Sequence, residues 1–186
     1  MKEKQIEYAD GKTMTLETER LIIRELEASD GMLFAEMALD GSLKDIGFDT
    51  DCNAWISQWI VEAKELAGKD DPTSDYLAYT IQLKRSETVI GSVGCSYYKD
   101  LEKVGITYFI GAKYRNSGYA SEAVKAYVKY FFEHYDINEI IATVREENIS
   151  SWKVIEKCGF DLIERKMYKD INDEFEKPYR FYSATE

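Results

Sequence analysis

The residues with the clearest chemical potential form a short glycine-containing, cationic turn at positions 115–120. The turn follows an apolar run, Val104–Ile110, whose β-branched and aromatic residues predict a strand. It leads into Tyr119–Tyr135, where apolar residues recur at the three-and-four spacing of a helix with one buried face. Because the first N–H groups of a helix lack internal partners and lie at the positive end of its dipole, this turn predicts a phosphate site.

The residues of the turn suit this role in different ways. Gly118 has no side chain, so a ligand can approach its backbone closely. Asn116 tolerates the left-handed conformation that such turns often need. Arg115 and Lys113 add full positive charges beside the backbone amides. An ordinary strand–helix turn with a surface arginine would explain the same six residues, so the pattern alone leaves both interpretations open.

Composition narrows the classes of protein to consider. The 186 residues are 45% hydrophobic with a formal net charge of −11, which predicts one globular domain over 1–186, with 1–14 as an N-terminal hairpin extension. This charge argues against nucleic-acid binding and would attract a cationic substrate. Three cysteines and one histidine at unrelated spacings predict neither a disulfide framework nor a metal site. With no membrane-length apolar run and no signal peptide, we expect a cytoplasmic protein.

The rest of the sequence predicts an alternation of strands and helices. The predicted strands are Thr18–Leu26, Tyr76–Leu83, Thr88–Tyr98, Val104–Ile110, Ile137–Val144, Phe160–Tyr168 and Tyr179–Ser183. Four helices are predicted: one capped by Ser29 or Asp30 and running to about Leu39, and three at Asp51 to about Ala67, Tyr119–Tyr135 and Asn148–Cys158. This order predicts an α/β (α+β) fold with a mixed sheet and one βαβ crossover at 104–144.

The element order and several motifs together resemble the GNAT acetyltransferase superfamily. The P-loop and the dinucleotide-binding GxGxxG are both absent, and positions 115–120 read R-x-x-G-x-A, which is similar to the family's acetyl-CoA pyrophosphate loop, Q/R-x-x-G-x-G/A. Positions 18–24 resemble the T-x-R-L-x-L-R opening of its RimJ/RimL-type branch, the ribosomal-protein N-terminal acetyltransferases. Positions 119–123 and 148–160 resemble that branch's G-Y-A-T-E-A helix start and its N-x-x-S-x-x-x-x-x-K-x-G-F helix. The resemblance spans about residues 15–185.

This resemblance implies a GNAT fold, with a central, mostly antiparallel sheet and helices on both of its faces. It also implies that the protein uses acetyl-CoA as cosubstrate and needs no metal. The implied pyrophosphate-binding residues are Arg115, Asn116, Ser117, Gly118, Tyr119 and Ala120. The strand at 108–110 would separate from the next strand near Ile141. The exposed backbone of Phe109 and Ile110 would then pair with the pantetheine arm, and an N–H there could hold the thioester oxygen. Asn116 and Thr107 depart from the family pattern, which usually carries glycine at both positions.

The last predicted helix carries residues with both structural and functional interpretations. Asn148 is a good N-cap, and Ser151 suits the first turn. The resemblance instead implies that Asn148 contacts CoA and that Ser151, near the thiolate, acts as a proton donor. Lys153 and Lys157 lie four apart on one helix face, where they could meet the 3′-phosphate or simply face solvent.

No general base is evident from the sequence. His134 is expected at a helix C-terminus, where the dipole favours a cation, so we predict a structural role for it. Glu25, Glu102 and Tyr98 qualify only by their expected positions at strand ends. An α-amino group with a pKa of about 8 costs about 1.4 kcal/mol to deprotonate at pH 7, whereas a lysine amine costs roughly 4.6 kcal/mol. A base acting through water could therefore suffice for an α-amine.

Three functions remain open at this point. The first is acetylation of a protein N-terminal α-amine, as in the ribosomal-protein enzymes. The second is acetylation of a small amine, such as a polyamine, amino acid or aminoglycoside, and the third is CoA binding without catalysis. Gly41–Thr50 and Lys169–Lys177 are expected to face the acceptor, but neither indicates which amine it is. The sequence is compatible with a monomer or a homodimer.

Overall fold

The computed structural model describes residues 14–186, so the predicted hairpin extension at 1–14 lies almost entirely outside the described residues. The strands are β1 (Thr15–Glu17), β2 (Leu21–Glu25), β3 (Tyr76–Leu83), β4 (Val89–Tyr98), β5 (Lys103–Ile110), β6 (Glu139–Arg145), β7 (Asp161–Tyr168) and β8 (Lys177–Thr185). The helices are α1 (Asp30–Ala38), α2 (Ile56–Lys69), α3 (Tyr119–His134) and α4 (Ile149–Lys157). None of the described helices is long and apolar enough to cross a membrane.

The strands form one eight-stranded sheet in the order β1-β2-β3-β4-β5-β6-β8-β7. Every neighbouring pair is antiparallel except β5 and β6, which run parallel and meet at Gly105 and Ile141. Helix α3 connects these two strands, as parallel neighbours require. The predicted mixed sheet with one βαβ crossover is confirmed.

Two hydrophobic clusters lie on the two faces of the sheet. Alternate side chains of β5 point to opposite faces, so Ile106 joins one cluster and Phe109 joins the other. Helices α3 and α4 supply the first cluster with residues such as Tyr127 and Ile155. Helix α1 and most of the buried face of α2 supply the second. The expectation of helices on both faces is therefore confirmed.

The predicted first strand, Thr18–Leu26, corresponds to β2, which begins three residues later than predicted, at Leu21. Residues 18–20 instead form a turn, around which β1 pairs antiparallel with β2. Thr18 closes this turn, because its Oγ1 accepts from the Leu21 N–H at 2.9 Å and its own N–H donates to the Leu21 carbonyl at 3.0 Å. Because this turn is closed by a threonine side chain and contains no glycine or proline, the sequence gives no strong turn signal here.

Candidate active site

The chain between β5 and α3 leaves a series of backbone N–H groups open. Asn116 and Gly118 adopt left-handed conformations, with φ of 61° and 82°, and such turns gather successive N–H groups into a concave anion site. Helix α3 begins after Gly118 without a side-chain cap. None of the N–H groups of residues 116–121 donates a hydrogen bond to another described residue. We call these six residues the amide cradle.

Arg115 lies beside the cradle, and two of its three guanidinium nitrogens already contact other residues. Its Nε donates to the Ile110 carbonyl at 2.9 Å. One terminal nitrogen lies 3.3 Å from both the carbonyl and the hydroxyl oxygen of Ser42. The arginine of the R-x-x-G-x-A pattern therefore ties the turn to the end of β5 and to the segment after α1.

A second arginine reaches the cradle from the turn between β1 and β2. Arg20 Nε contacts Glu122 Oε2 at 2.6 Å, and the Arg20 N–H donates to Glu122 Oε1 at 2.8 Å. Thr18 Oγ1 donates to the same carboxylate oxygen at 2.6 Å. Burial opposes ionisation of Glu122, but these hydrogen bonds outweigh it, so its pKa is lowered. The motif at 18–24 and the motif at 119–123, which are far apart in the sequence, therefore contact each other through Arg20 and Glu122. In the sequence, the only indication of this contact is that each motif carries a charged residue with no assigned role.

The sheet opens next to the cradle. Gly105 and Ile141 are the pair that joins β5 to β6 in the described sheet, and residues 107–110 pair with β4 alone. The separation predicted near Ile141 is therefore confirmed. This leaves one edge of the second half of β5 facing an opening rather than a neighbouring strand.

The register of β5 decides which backbone groups face the opening. The Gly111 N–H donates to the Ile90 carbonyl of β4 at 2.9 Å. Since alternate residues of an antiparallel strand point their N–H and C=O the same way, Phe109 faces β4, whereas Tyr108 and Ile110 face the opening. The expected use of the Phe109 backbone is therefore corrected in favour of Tyr108, while Ile110 remains. The Phe109 side chain packs between Phe34 and Phe48, with ring centroids 5.2 Å from each.

On the far side of the opening, Ser151 forms a pair with Tyr108. The two hydroxyl oxygens are 2.8 Å apart, and the Tyr108 O–H also reaches the Ser151 carbonyl at 3.1 Å. Burial raises the pKa of Tyr108, and the hydrogen bond to Ser151 offsets this only in part. Tyr108 therefore stays a neutral O–H donor at physiological pH. The sequence analysis assigned Tyr108 only to the strand and missed its hydroxyl.

Asn148 caps helix α4, as its structural interpretation predicted. Its Oδ1 accepts from the Ser151 N–H at 3.2 Å and from the Ser150 hydroxyl at 3.1 Å. The cap holds the first turn of α4 in the position that brings Ser151 to Tyr108. Lys153 and Lys157 lie further along α4 with exposed side chains.

A family model described as "Acetyltransferase (GNAT) domain" matches residues 20–161. The chain belongs to the GNAT acetyltransferase family. It is 28% identical over 151 residues to an uncharacterized N-acetyltransferase of Bacillus subtilis, YnaD, a match that covers 78% of this chain and 82% of that protein. As a GNAT acetyltransferase it is an acetyl-CoA-dependent enzyme.

Solved GNAT structures have the same fold. The ribosomal-protein-S5-alanine acetyltransferase of Vibrio fischeri superposes with a TM-score of 0.73 at 20% identity, covering 92% of this chain and 96% of that one. The microcin C7 self-immunity acetyltransferase MccE, in complex with acetyl-CoA and AMP, gives a TM-score of 0.76 at 14% identity, covering 90% and 93%. At these identities the likeness concerns the fold.

The two loops expected to face the acceptor meet at the end of β6 of this GNAT fold. Arg145 forms ion pairs with Asp45, at 2.8 Å, and with Asp173. The Asp173 carboxylate is fully buried and also accepts from the Tyr179 hydroxyl at 2.7 Å. Nearby, burial raises the pKa of Asp170. Acidic side chains from both loops are therefore gathered beside one strand end.

The residues considered as general bases do not lie with the cradle. His134 is at the other end of α3, where its Nε2 is 2.7 Å from Asp70, consistent with its predicted structural placement. Glu25 accepts from the Met14 N–H at 3.2 Å. The Tyr98 hydroxyl accepts from Thr143 at 3.2 Å, and Glu102 occupies a turn with φ of 52°.

Proposed function

We propose that this enzyme transfers the acetyl group of acetyl-CoA to a protein N-terminal α-amine. The observation that supports acetyl-CoA most strongly is the succession of two unsatisfied backbone surfaces. The six open N–H groups of the amide cradle suit a diphosphate. The unpaired edge of β5 beside them suits an extended arm that carries amide groups. CoA presents a diphosphate and then such an arm, in the same order.

In this proposal the cradle holds the pyrophosphate, together with Arg115, and Asn148 provides a further contact from the start of α4. The backbone of Tyr108 and the N–H of Ile110 pair with the pantetheine arm, and an N–H in this stretch holds the thioester oxygen as negative charge develops on it. Acetyl-CoA, when bound, supplies the activated acetyl group. The role of the protein residues is to orient this acetyl group towards the acceptor amine.

We assign Ser151 the donation of a proton to the departing thiolate. Its hydroxyl lies 2.8 Å from that of Tyr108, and the raised pKa of Tyr108 keeps a proton on the phenol. The proton that Ser151 Oγ gives to the thiolate is balanced by the proton that the acceptor amine loses as the amide bond forms and the thioester bond breaks. Tyr108 stays protonated and acts through Ser151 as a positioning group.

Two arguments favour an N-terminal α-amine as the acceptor. An α-amine loses its proton at much lower cost than a lysine amine, so a base acting through water suffices. The opening motif of the chain resembles that of the ribosomal-protein N-terminal acetyltransferases, and the fold is similar to a ribosomal-protein-alanine enzyme. The net charge of −11 is compatible with this acceptor, because it would attract a cationic chain terminus as it would any cationic amine.

The test measures release of the CoA thiol when acetyl-CoA is mixed with different amines. One set contains peptides with different N-terminal residues, and its matched controls are the same peptides with a formylated N-terminus. A second set contains a polyamine, free amino acids and an aminoglycoside. We expect thiol release with the free peptides and not with the blocked ones, and mass spectrometry should place the acetyl group on the first residue.

Other outcomes would contradict the proposal. A small amine that reacts faster than every peptide would identify a small-molecule acetyltransferase. Tight acetyl-CoA binding without thiol release in either set would identify a CoA-binding module.

A further inference from the structure

Arg20 presents an unused donor group at the rim of the amide cradle. One terminal nitrogen, Nη1, donates to the Ser117 carbonyl at 2.9 Å. The other, Nη2, lies 3.3 Å from the point that a β-carbon on Gly118 would occupy. It donates no hydrogen bond to a described residue, and the side chain is 42% exposed. A guanidinium edge thus borders the open amides.

The orientation of this guanidinium group is fixed on three sides. Glu122 holds Nε at 2.6 Å, Ser117 holds Nη1, and the Tyr119 ring lies against the group with its centroid 4.6 Å from Cζ. A side chain fixed before the ligand arrives loses less conformational entropy on binding. Arg115, by contrast, directs its guanidinium group to Ile110 and Ser42. Arg20 is therefore the arginine whose unused terminal nitrogen the structure places beside Gly118.

We propose that Arg20 binds the diphosphate of acetyl-CoA directly and is the principal cation of this site. The proposal rests on the proposed function, because it assumes that the cradle binds acetyl-CoA. The diphosphate is the relevant group because Nη2 lies beside Gly118, within the cradle itself. Glu122 places a negative charge one turn into α3, and Arg20 also neutralises it. A direct contact must therefore be distinguished from neutralisation of Glu122.

The experiment measures binding of acetyl-CoA, and of dephospho-CoA, by isothermal titration to four proteins. These are the wild type, Arg20→Ala, the double variant Arg20→Ala with Glu122→Gln, and Arg85→Ala. Arg85 is exposed in the turn between β3 and β4, so its variant matches the change in net charge away from the cradle. Circular dichroism establishes the folded fraction of each protein. The double variant removes both members of the ion pair and leaves no unpaired carboxylate.

We expect both variants that lack Arg20 to bind about 10- to 150-fold more weakly, as loss of a charged hydrogen bond predicts. The loss should be the same for dephospho-CoA, which keeps the diphosphate but lacks the 3′-phosphate. Arg85→Ala should bind like the wild type.

Three results would overturn the proposal. Wild-type affinity in the double variant would show that Arg20 only neutralises Glu122. If loss of Arg20 weakened binding of acetyl-CoA but not of dephospho-CoA, Arg20 would contact the 3′-phosphate. If Arg85→Ala weakened binding as much as Arg20→Ala, the effect would come from the change in net charge. A wild-type protein that binds neither ligand would instead refute the proposed function.

Discussion

Helices α3 and α4 lie on the same face of the sheet and each follows a strand of the β5–β6 pair, yet their N-termini differ. At α4, Asn148 Oδ1 accepts from the Ser151 N–H, so the first turn is capped within the protein. At α3, the residue before the helix is Gly118, which offers no side chain, and the amides of 116–121 stay open. A side-chain cap is typically worth about 1 kcal/mol of stability. The Asn148 cap stabilises the start of α4, whereas the start of α3 gives up this stabilisation and keeps N–H groups that can bind an anion.

The comparison also explains why the two helix starts cooperate. The capped terminus fixes Ser151 against Tyr108 on one side of the opening in the sheet. The uncapped N-terminus of α3, which follows β5 in the β5–α3–β6 crossover, carries the amide cradle. One end supplies a positioned hydroxyl, and the other supplies open N–H groups of the kind that suit an anion. Substitutions at the two ends should therefore affect different quantities.

The largest effect should come from Gly118→Val. Its φ of 82° is unfavourable for a β-branched residue, and the new side chain would fill the cradle beside Arg20. We expect acetyl-CoA affinity, measured by isothermal titration, to fall by at least about 100-fold, roughly 2.7 kcal/mol. Gly159→Val is the matched control, because Gly159 follows α4 with φ of 92° and lies in open space. A similar loss of affinity in both variants would mean that general destabilisation, and not the cradle, is responsible.

Ser151→Ala should give the next largest effect, on kcat. General acid catalysis contributes about 10²–10⁴-fold, and the low end suits a thiol, which is already a fair leaving group. We therefore expect kcat to fall about 100-fold while acetyl-CoA affinity changes little, since the interaction forms only in the transition state. Tyr108→Phe should lower kcat less, because it leaves the Ser151 hydroxyl in place. If Ser151→Ala left kcat unchanged and lowered the stability of the protein, Ser151 would have only a structural role in the first turn of α4.

Arg115→Ala should weaken acetyl-CoA binding by about tenfold, less than Gly118→Val does. Removing one charged hydrogen-bonding group typically costs about 1.5–3 kcal/mol, and here the group braces Ile110 and Ser42. Titration of the two variants under the same conditions gives the comparison. A larger loss for Arg115→Ala would show that the amides of the cradle are not the main anchor.

The smallest effect should follow removal of the α4 cap. Asn148→Ala should lower the free energy of unfolding by about 1 kcal/mol, measured by urea denaturation. Asn148→Asp keeps an oxygen that can accept from the Ser151 N–H, so its stability should stay close to that of the wild type. If both variants also bind acetyl-CoA more weakly, Asn148 contacts the cosubstrate as well as capping the helix.

Local features of the site were accessible from the sequence. Asn116 and Gly118 have the left-handed conformations that their residue types favour, and Asn148 caps the helix that its position predicted. The strand, turn and helix around the cradle lie within a residue or two of their predicted bounds. All of these depend on backbone preference or periodicity over a few neighbouring residues, which the order of amino acids specifies directly.

Tertiary structure alone decided which groups meet at the site. Arg20 lies 102 positions from Glu122, and Tyr108 lies 43 positions from Ser151, so no local pattern could pair them. Whether Phe109 or Ile110 faces the opening depends on the hydrogen bond between Gly111 and Ile90, because a shift of one residue would exchange the two. The sequence by itself determined the elements, the left-handed turn and the family resemblance. Only the folded sheet brought Arg115 into contact with Ser42 and Arg20 into contact with the cradle, since long-range packing and register set the position of each side chain.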